Sequence, residues 1–141
     1  MPDPVTVAPR NTAMGVAAGA LKAQQSRMRI IAENIANAQS TALTPGGEPY
    51  RRQIPVFQAR EINGATSVTL AEVRPDQSEF NTEYDPSHPA ANAEGYVLRP
   101  NVDTLVEAMD MREAQRAYEA NLNIIETARA MDARTLDLLK K

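Results

Sequence analysis

Residues 102–139 read VDTLVEAMDMREAQRAYEANLNIIETARAMDARTLDLL, thirty-eight positions without a proline or a glycine. Nothing in that stretch breaks a helix, and at 1.5 Å per residue it predicts one of roughly 57 Å. Asn101, Asp103 or Thr104 can cap its start, and Thr104 with Glu107 has capping-box spacing. Asp103, Glu107 and Asp110 suit the positive end of the helix dipole, as Lys140 and Lys141 suit the negative end. Along it, Ala114, Ala117, Asn121, Ile124, Ala128, Met131, Thr135 and Leu138 alternate at spacings of three and four. That is the pattern of a helix that meets another along its length. Met111, Tyr118, Leu122, Ile125 and Leu136 form a second apolar line beside the first. A face this broad points to several neighbours rather than one.

The other end of the chain repeats the pattern. Met14, Ala17, Leu21, Gln24, Met28, Ile31, Ile35 and Ala38 carry the same alternation, predicting a helix from a cap at Asn11 or Thr12 to about Gln39. Gly15 and Gly19 each cost it roughly 1 kcal/mol relative to alanine while letting another backbone come close. The expected fold is therefore mainly α. Long N- and C-terminal helices (12–44 and 101–141) form a coiled-coil-like axial domain, preceded by a flexible Pro-rich segment at 1–11. Whether the two helices close into an intramolecular hairpin or line up in a multi-chain tube is left open by periodicity alone.

Between them, residues 45–100 change character. Pro45-Gly46-Gly47-Glu48-Pro49 is a turn signal. Short β-prone runs follow at Tyr50–Phe57, Ser67–Val73 and Gly95–Leu98, punctuated by Pro55, Asn63-Gly64 and Pro75. Asp85-Pro86-Ser87-His88-Pro89 reads as an extended loop. The segment is expected to be a small, irregular, β-rich insertion with a thin core.

Composition narrows the function. Aromatic residues make up 4% of the 141, and there is no Trp, so Ala, Leu, Ile and Met must supply most of the burial. A net charge of -3 argues against nucleic-acid binding, whose footprint is basic. With no Cys, disulfides and thiolate metal sites are excluded. No apolar run is long enough for direct membrane insertion, and MPDPVTVAPRN at 1–11 lacks the apolar centre of a signal peptide.

Candidates for chemistry are few. His88 is the single histidine, close to Asp85 and Glu83; an acid–base or metal site could use such groups, but no second His or nucleophile accompanies them. No catalytic, cofactor or metal site is expected. The Arg51-Arg52 pair reads as solvated or interfacial. Asn34 and Asn37, poor residues for a helix interior, mark either a fraying end or specific amide hydrogen bonds. Asn121 sits within the apolar seam, where a polar residue either fixes register or is solvated.

Several stretches carry a family likeness. IIAENIANA at 30–38, with Asn34 and Asn37, resembles the N-terminal signature of the flagellar rod and hook axial proteins. Pro45-Gly46-Gly47-Glu48-Pro49-Tyr50-Arg51-Arg52, the run from Tyr84 through Asp85, Pro86, Ser87 and His88 to Pro89, and RAYEAN at 116–121 around Tyr118 are similar to the proximal-rod branch of that family. The resemblance implies a structural subunit that passes through the flagellar type III export apparatus without a cleaved leader. Such a subunit joins the periplasmic rod of the basal body, a tubular drive shaft around the export channel. Its partners would be further copies of itself and other rod proteins (FlgB, FlgF and FliE-like). Met14, Ala17, Leu21, Met28, Ile31, Ile35, Ala117, Asn121, Ile124, Ala128, Met131 and Leu138 would then be subunit-interface positions. A different axial component, a non-flagellar helical adaptor and an enzyme using His88 are the competing readings.

Overall fold

The computed structural model describes residues 9–62 and 64–140; most of the Pro-rich start, Asn63 and Lys141 lie outside them. Two long helices bracket two small antiparallel sheets. Helix α1 spans Pro9–Ala36, β1 Gln53–Ile62, β2 Ala65–Pro75, β3 Asn81–Tyr84, β4 Tyr96–Arg99, and α2 Thr104–Leu139. The mainly helical architecture with a β-rich middle is as expected.

Helix α1 begins at Pro9, ahead of the expected caps, so Asn11 and Thr12 lie inside it. Proline is well placed in a first turn, where its missing N–H has no carbonyl to meet. The helix ends at Ala36, three residues before the expected stop. There the ladder tightens: Ala38 N donates to Ile35 O at 3.2 Å, an i−3 bond, and Asn37 Nδ2 donates to Glu33 O at 2.8 Å. The Glu33 carbonyl thus accepts from both the backbone and the side-chain amide of Asn37.

Asp103 caps α2. Its Oδ1 accepts from the amides of Leu105 at 3.0 Å and Val106 at 3.4 Å. With Asp103 as the N-cap, Thr104 is already the first helical residue, so its spacing to Glu107 makes no capping box, and Glu107 turns inward to another partner. The helices pack on each other and run antiparallel. Arg27 approaches Glu113 at 3.6 Å, whereas the later α1 residues Ile31 and Asn34 share a cavity with the earlier α2 residues Glu107 and Asp110. The core between and beside them is built largely from small side chains, among them Ala17, Ala23, Ala38 and Ala114, with Ile30 and Ile31 as the larger members.

Strands β1 and β2 form one hairpin, with Gln53 opposite Pro75 and Ile62 opposite Ala65, and a bulge between Val56 and Phe57. Pro55 is accommodated because a two-stranded sheet has only edges. The hairpin lies against α1, and Gly19 leaves no room between them for a side chain. A Cβ there would stand 2.4 Å from Ser67 Oγ, a buried hydroxyl. The small-residue stretch of α1 thus admits a strand of its own chain.

Strands β3 and β4 pair from Asn81↔Arg99 to Tyr84↔Tyr96. Strand β3 was not legible in advance: all four of its residues are exposed, so no apolar alternation marks it. The two tyrosine rings meet edge to face, 5.2 Å between centroids. Gly95 makes room for them: its φ is +90°, and a Cβ would lie 2.9 Å from Tyr84 Cε2. Gly95→Ala is expected to cost about 2 kcal/mol through backbone strain and steric overlap, read as a lower urea midpoint with loss of the tyrosine near-UV dichroism.

Candidate functional site

Among the described residues, a dense polar construction joins the two helices to the root of β1. Asn34, in the last turns of α1, is 1% exposed. Its Nδ2 donates to Gln53 O at 2.9 Å, and its Oδ1 accepts from Gln53 N at 2.9 Å. One side-chain amide therefore serves Gln53 as a neighbouring strand's peptide would. The same Oδ1 accepts from Tyr50 Oη at 2.7 Å. Burial, then the nearby carboxylates of Glu33 and Glu107, push the Tyr50 hydroxyl above its ordinary pKa, which keeps it a donor. Of the two readings of Asn34, specific amide bonding is the one the structure displays.

Arg52, one residue earlier, ties the same strand root to α2. Its Nε donates to Glu107 Oε1, its Nη1 to Asp76 Oδ2 at 3.3 Å, and its Nη2 lies 3.8 Å from Asp110 Oδ2. Glu107 is 1% exposed and sits in the first turn of α2, where the helix dipole favours negative charge. Burial alone would lower the Arg52 pKa, but the bonds to Glu107 and Asp76 outweigh it and raise it. The Ser78 amide, donating to Asp76 Oδ1 at 2.9 Å, is the main cause holding the Asp76 carboxyl below its usual range, with Arg52 adding to it against the opposing effect of burial. Asn101 closes the construction: its Oδ1 accepts from Arg52 N at 2.8 Å and its Nδ2 donates to Asp76 O at 3.0 Å. Arg51 stacks on Phe80, 4.3 Å from ring centroid to guanidinium carbon, and donates to Asp76 O at 3.0 Å. The arginine pair is thus tied into an internal clasp, with the side chains 24% and 26% exposed, so of its two readings from sequence simple solvation does not hold. The signal was hidden because Arg52 and Glu107 are 55 residues apart.

The remaining motif residues build turns. Gly46 has a φ of +74°, and Gly47 N donates to Thr44 O at 3.1 Å. Pro49 is buried beside the clasp residue Tyr50, and Glu48 lies 3.5 Å from Arg51. Within the loop that includes Pro86 and Pro89, His88 Nδ1 accepts from Ala90 N at 3.0 Å, and Asp85 Oδ1 accepts from Ser87 Oγ at 2.9 Å. Among the described residues no group of three His, Cys, Asp or Glu could hold a metal ion.

The apolar lines divide. Ala17 and Ile31 are buried within the chain; Met14, Leu21, Met28, Ala117, Tyr118, Asn121 and Ala128 are half-buried; Ile35 is exposed. Further along α2, Ile124 is 49% exposed, Met131 50% and Leu138 72%, whereas Ile125, Asp132 and Thr135 are half-buried. Ala114, Tyr118, Asn121, Ile125, Ala128, Asp132 and Thr135 keep spacings of four and three, so the less exposed face of α2 holds a heptad repeat, one of its two lines falling one residue after Ile124 and Met131. Asn121 Nδ2 donates to Ala117 O at 2.8 Å within its own helix. Leu105, Val106, Met109, Leu136 and Leu139 are exposed as well. No helix among the described residues is long and apolar enough to cross a membrane.

Residues 14–42 match the family of flagella basal body rod proteins, and residues 93–138 match the C-terminal family of flagellar basal body rod FlgEFG proteins. A flagellar basal-body rod protein FlgC of Agrobacterium fabrum is 45% identical over 134 residues, covering 94% of this chain and 96% of the relative. FlgC of Escherichia coli O157:H7 is 39% identical over 125 residues (87% and 92%), and that of Bacillus subtilis 36% over 144 (90% and 96%). The chain belongs to the FlgC family of flagellar basal-body rod proteins. The two family matches cover most of α1 and all but the last residue of α2, and Asn34 and Glu107 fall one in each. Gln53 and Arg52, which connect them, lie in the stretch between. As a FlgC-family member the protein is a structural subunit of the flagellar basal-body rod.

Proposed function

We propose that this subunit enters the rod through its terminal helices, contributing to a tube that surrounds the export channel and transmits torque. The observation that carries the reading is the uncovered apolar side chains of α2, Leu105, Val106 and Met109 at its start and Ile124, Met131, Leu138 and Leu139 along its second half. An exposed apolar stripe on a long helix is what adjacent helices bury on assembly. The neighbours are further copies and other rod proteins, FlgB, FlgF and FliE-like, in the periplasm, reached through the type III apparatus. The role is structural and not catalytic: His88 and Asp85, the pair acid–base chemistry would recruit, are each bonded within their own turn.

A paired comparison tests this. The double substitution Ile124→Asp with Met131→Asp should leave the urea stability of the isolated chain within about 0.5 kcal/mol, as surface changes do, yet abolish rod assembly and swimming. Ile31→Asp, at a buried position, should instead destabilise the isolated chain itself. Normal motility in the double variant would remove the basis for the proposal.

A further inference from the structure

The clasp fixes the β1–β2 hairpin at its root, where Asn34 bonds Gln53. Beyond the root, the bulge between Val56 and Phe57 bends β1 and interrupts its ladder, so the clasp does not dictate where residues 57–70 lie. Among the described residues no hydrogen bond or ion pair joins that distal half to α1. A cavity of about 480 Å³ opens along the seam, lined by Lys22, Ser26, Gln58, Arg60 and Thr69 among others. Lys22 on α1 and Arg60 on β1 carry like charges, which do not draw the two sides together. Contact is tight at Ser67, the ladder partner of Arg60 and 1% exposed. A Cβ on Gly19 would collide with Ser67 Oγ and stand 3.7 Å from both Ser67 Cβ and Val68 O. The buried hydroxyl has no partner and so costs stability; what the position requires is a small side chain.

We propose that Ser67 seated on Gly19 is a positioning contact: it holds the distal hairpin on α1, the hairpin stays seated there in the assembled rod, and assembly depends on it. Bonding places the root, and steric fit places the rest. The seat is separate from the α2 side chains on which assembly through the helices rests, so either can fail without the other.

A cysteine pair and a valine test it. Gly19→Cys with Ser67→Cys sets two Cβ atoms 3.7 Å apart, inside the range of about 3.5–4.5 Å for a disulfide, and the chain has no Cys of its own. Under oxidant the bond is expected in the isolated chain and, to the same extent, in purified basal bodies built from the variant. A bond missing from basal bodies overturns the proposal, whether or not the isolated chain forms it. Gly19→Val puts a branched side chain, with essentially one rotamer in a helix, against the strand, and on propensity alone α1 tolerates it better than glycine. Far-UV dichroism should be unchanged, amide exchange over residues 57–70 should quicken about tenfold or more as the segment opens, and rods and swimming should be lost. Adding Ser67→Gly, which reopens the seat, should restore both. Normal swimming with Gly19→Val alone also overturns the proposal.

Discussion

Arg52→Leu should destabilise the isolated chain by about 3 kcal/mol, read as a lower urea midpoint. The loss comes from what stays behind. Glu107 is fully buried with Arg52 as its bonded partner, and removing one member of a buried ion pair leaves an uncompensated charge, at about 3–5 kcal/mol. The lower end applies because the Arg52 side chain is itself about a quarter exposed. Asp76 and Asp110 lose their shared cation in the same step. The control is Arg52→Leu with Glu107→Leu, which removes both charges and should recover most of the stability. A double variant no better than the single one would show that the unpaired carboxylate is not the source of the loss.

Asn34→Ala is expected to cost about 3 kcal/mol, roughly 1 for each of its three hydrogen bonds. Gln53 loses both a donor and an acceptor partner, and Tyr50 loses the acceptor of its hydroxyl. Tyr50→Phe, which removes one of the three bonds, should cost about 1 kcal/mol. Asn34→Asp retains the acceptor but loses the donor to Gln53 O, so it should not rescue. Amide hydrogen exchange at Gln53 offers a local readout: it should accelerate strongly in Asn34→Ala and scarcely change in Tyr50→Phe. Equal losses in the two variants would contradict the strand-like role of the Asn34 amide.

What could be read in advance follows from range along the chain. The uninterrupted 36-residue α2, a cap at one of Asn101, Asp103 and Thr104, and the apolar stripe are local features, governed by propensity and period. Asn34 could be singled out because an amide in a helix interior needs a reason, although its partner could not be named. The clasp was illegible because it joins positions 34, 52, 53, 76, 101 and 107, which no periodicity links. Glu107 shows the limit best: three residues after Thr104, it had the spacing of a capping box, yet the cap falls one residue earlier, at Asp103, and Glu107 is buried against Arg52 instead. Strand β3 escaped because its wholly exposed face leaves no alternation to detect. The division of the α2 stripe between covered and open residues turns on which of two adjacent lines faces the rest of the chain, Tyr118 and Ile125 or Ile124 and Met131, and the heptad pattern does not choose between them.

Gln53 is fastened to α1 through Asn34, and Arg52, the residue before it, to α2 through Glu107. Two anchors on consecutive residues, pulling toward different helices, act as a bracket where a single one would act as a pivot. The ten-residue β1 that follows is a lever of about 33 Å whose base cannot swivel without breaking one anchor. In a turning shaft the hairpin is carried round in step with the helices. Torsional compliance then has to reside along the helices or between subunits, and the elbow behaves as a stiff fitting.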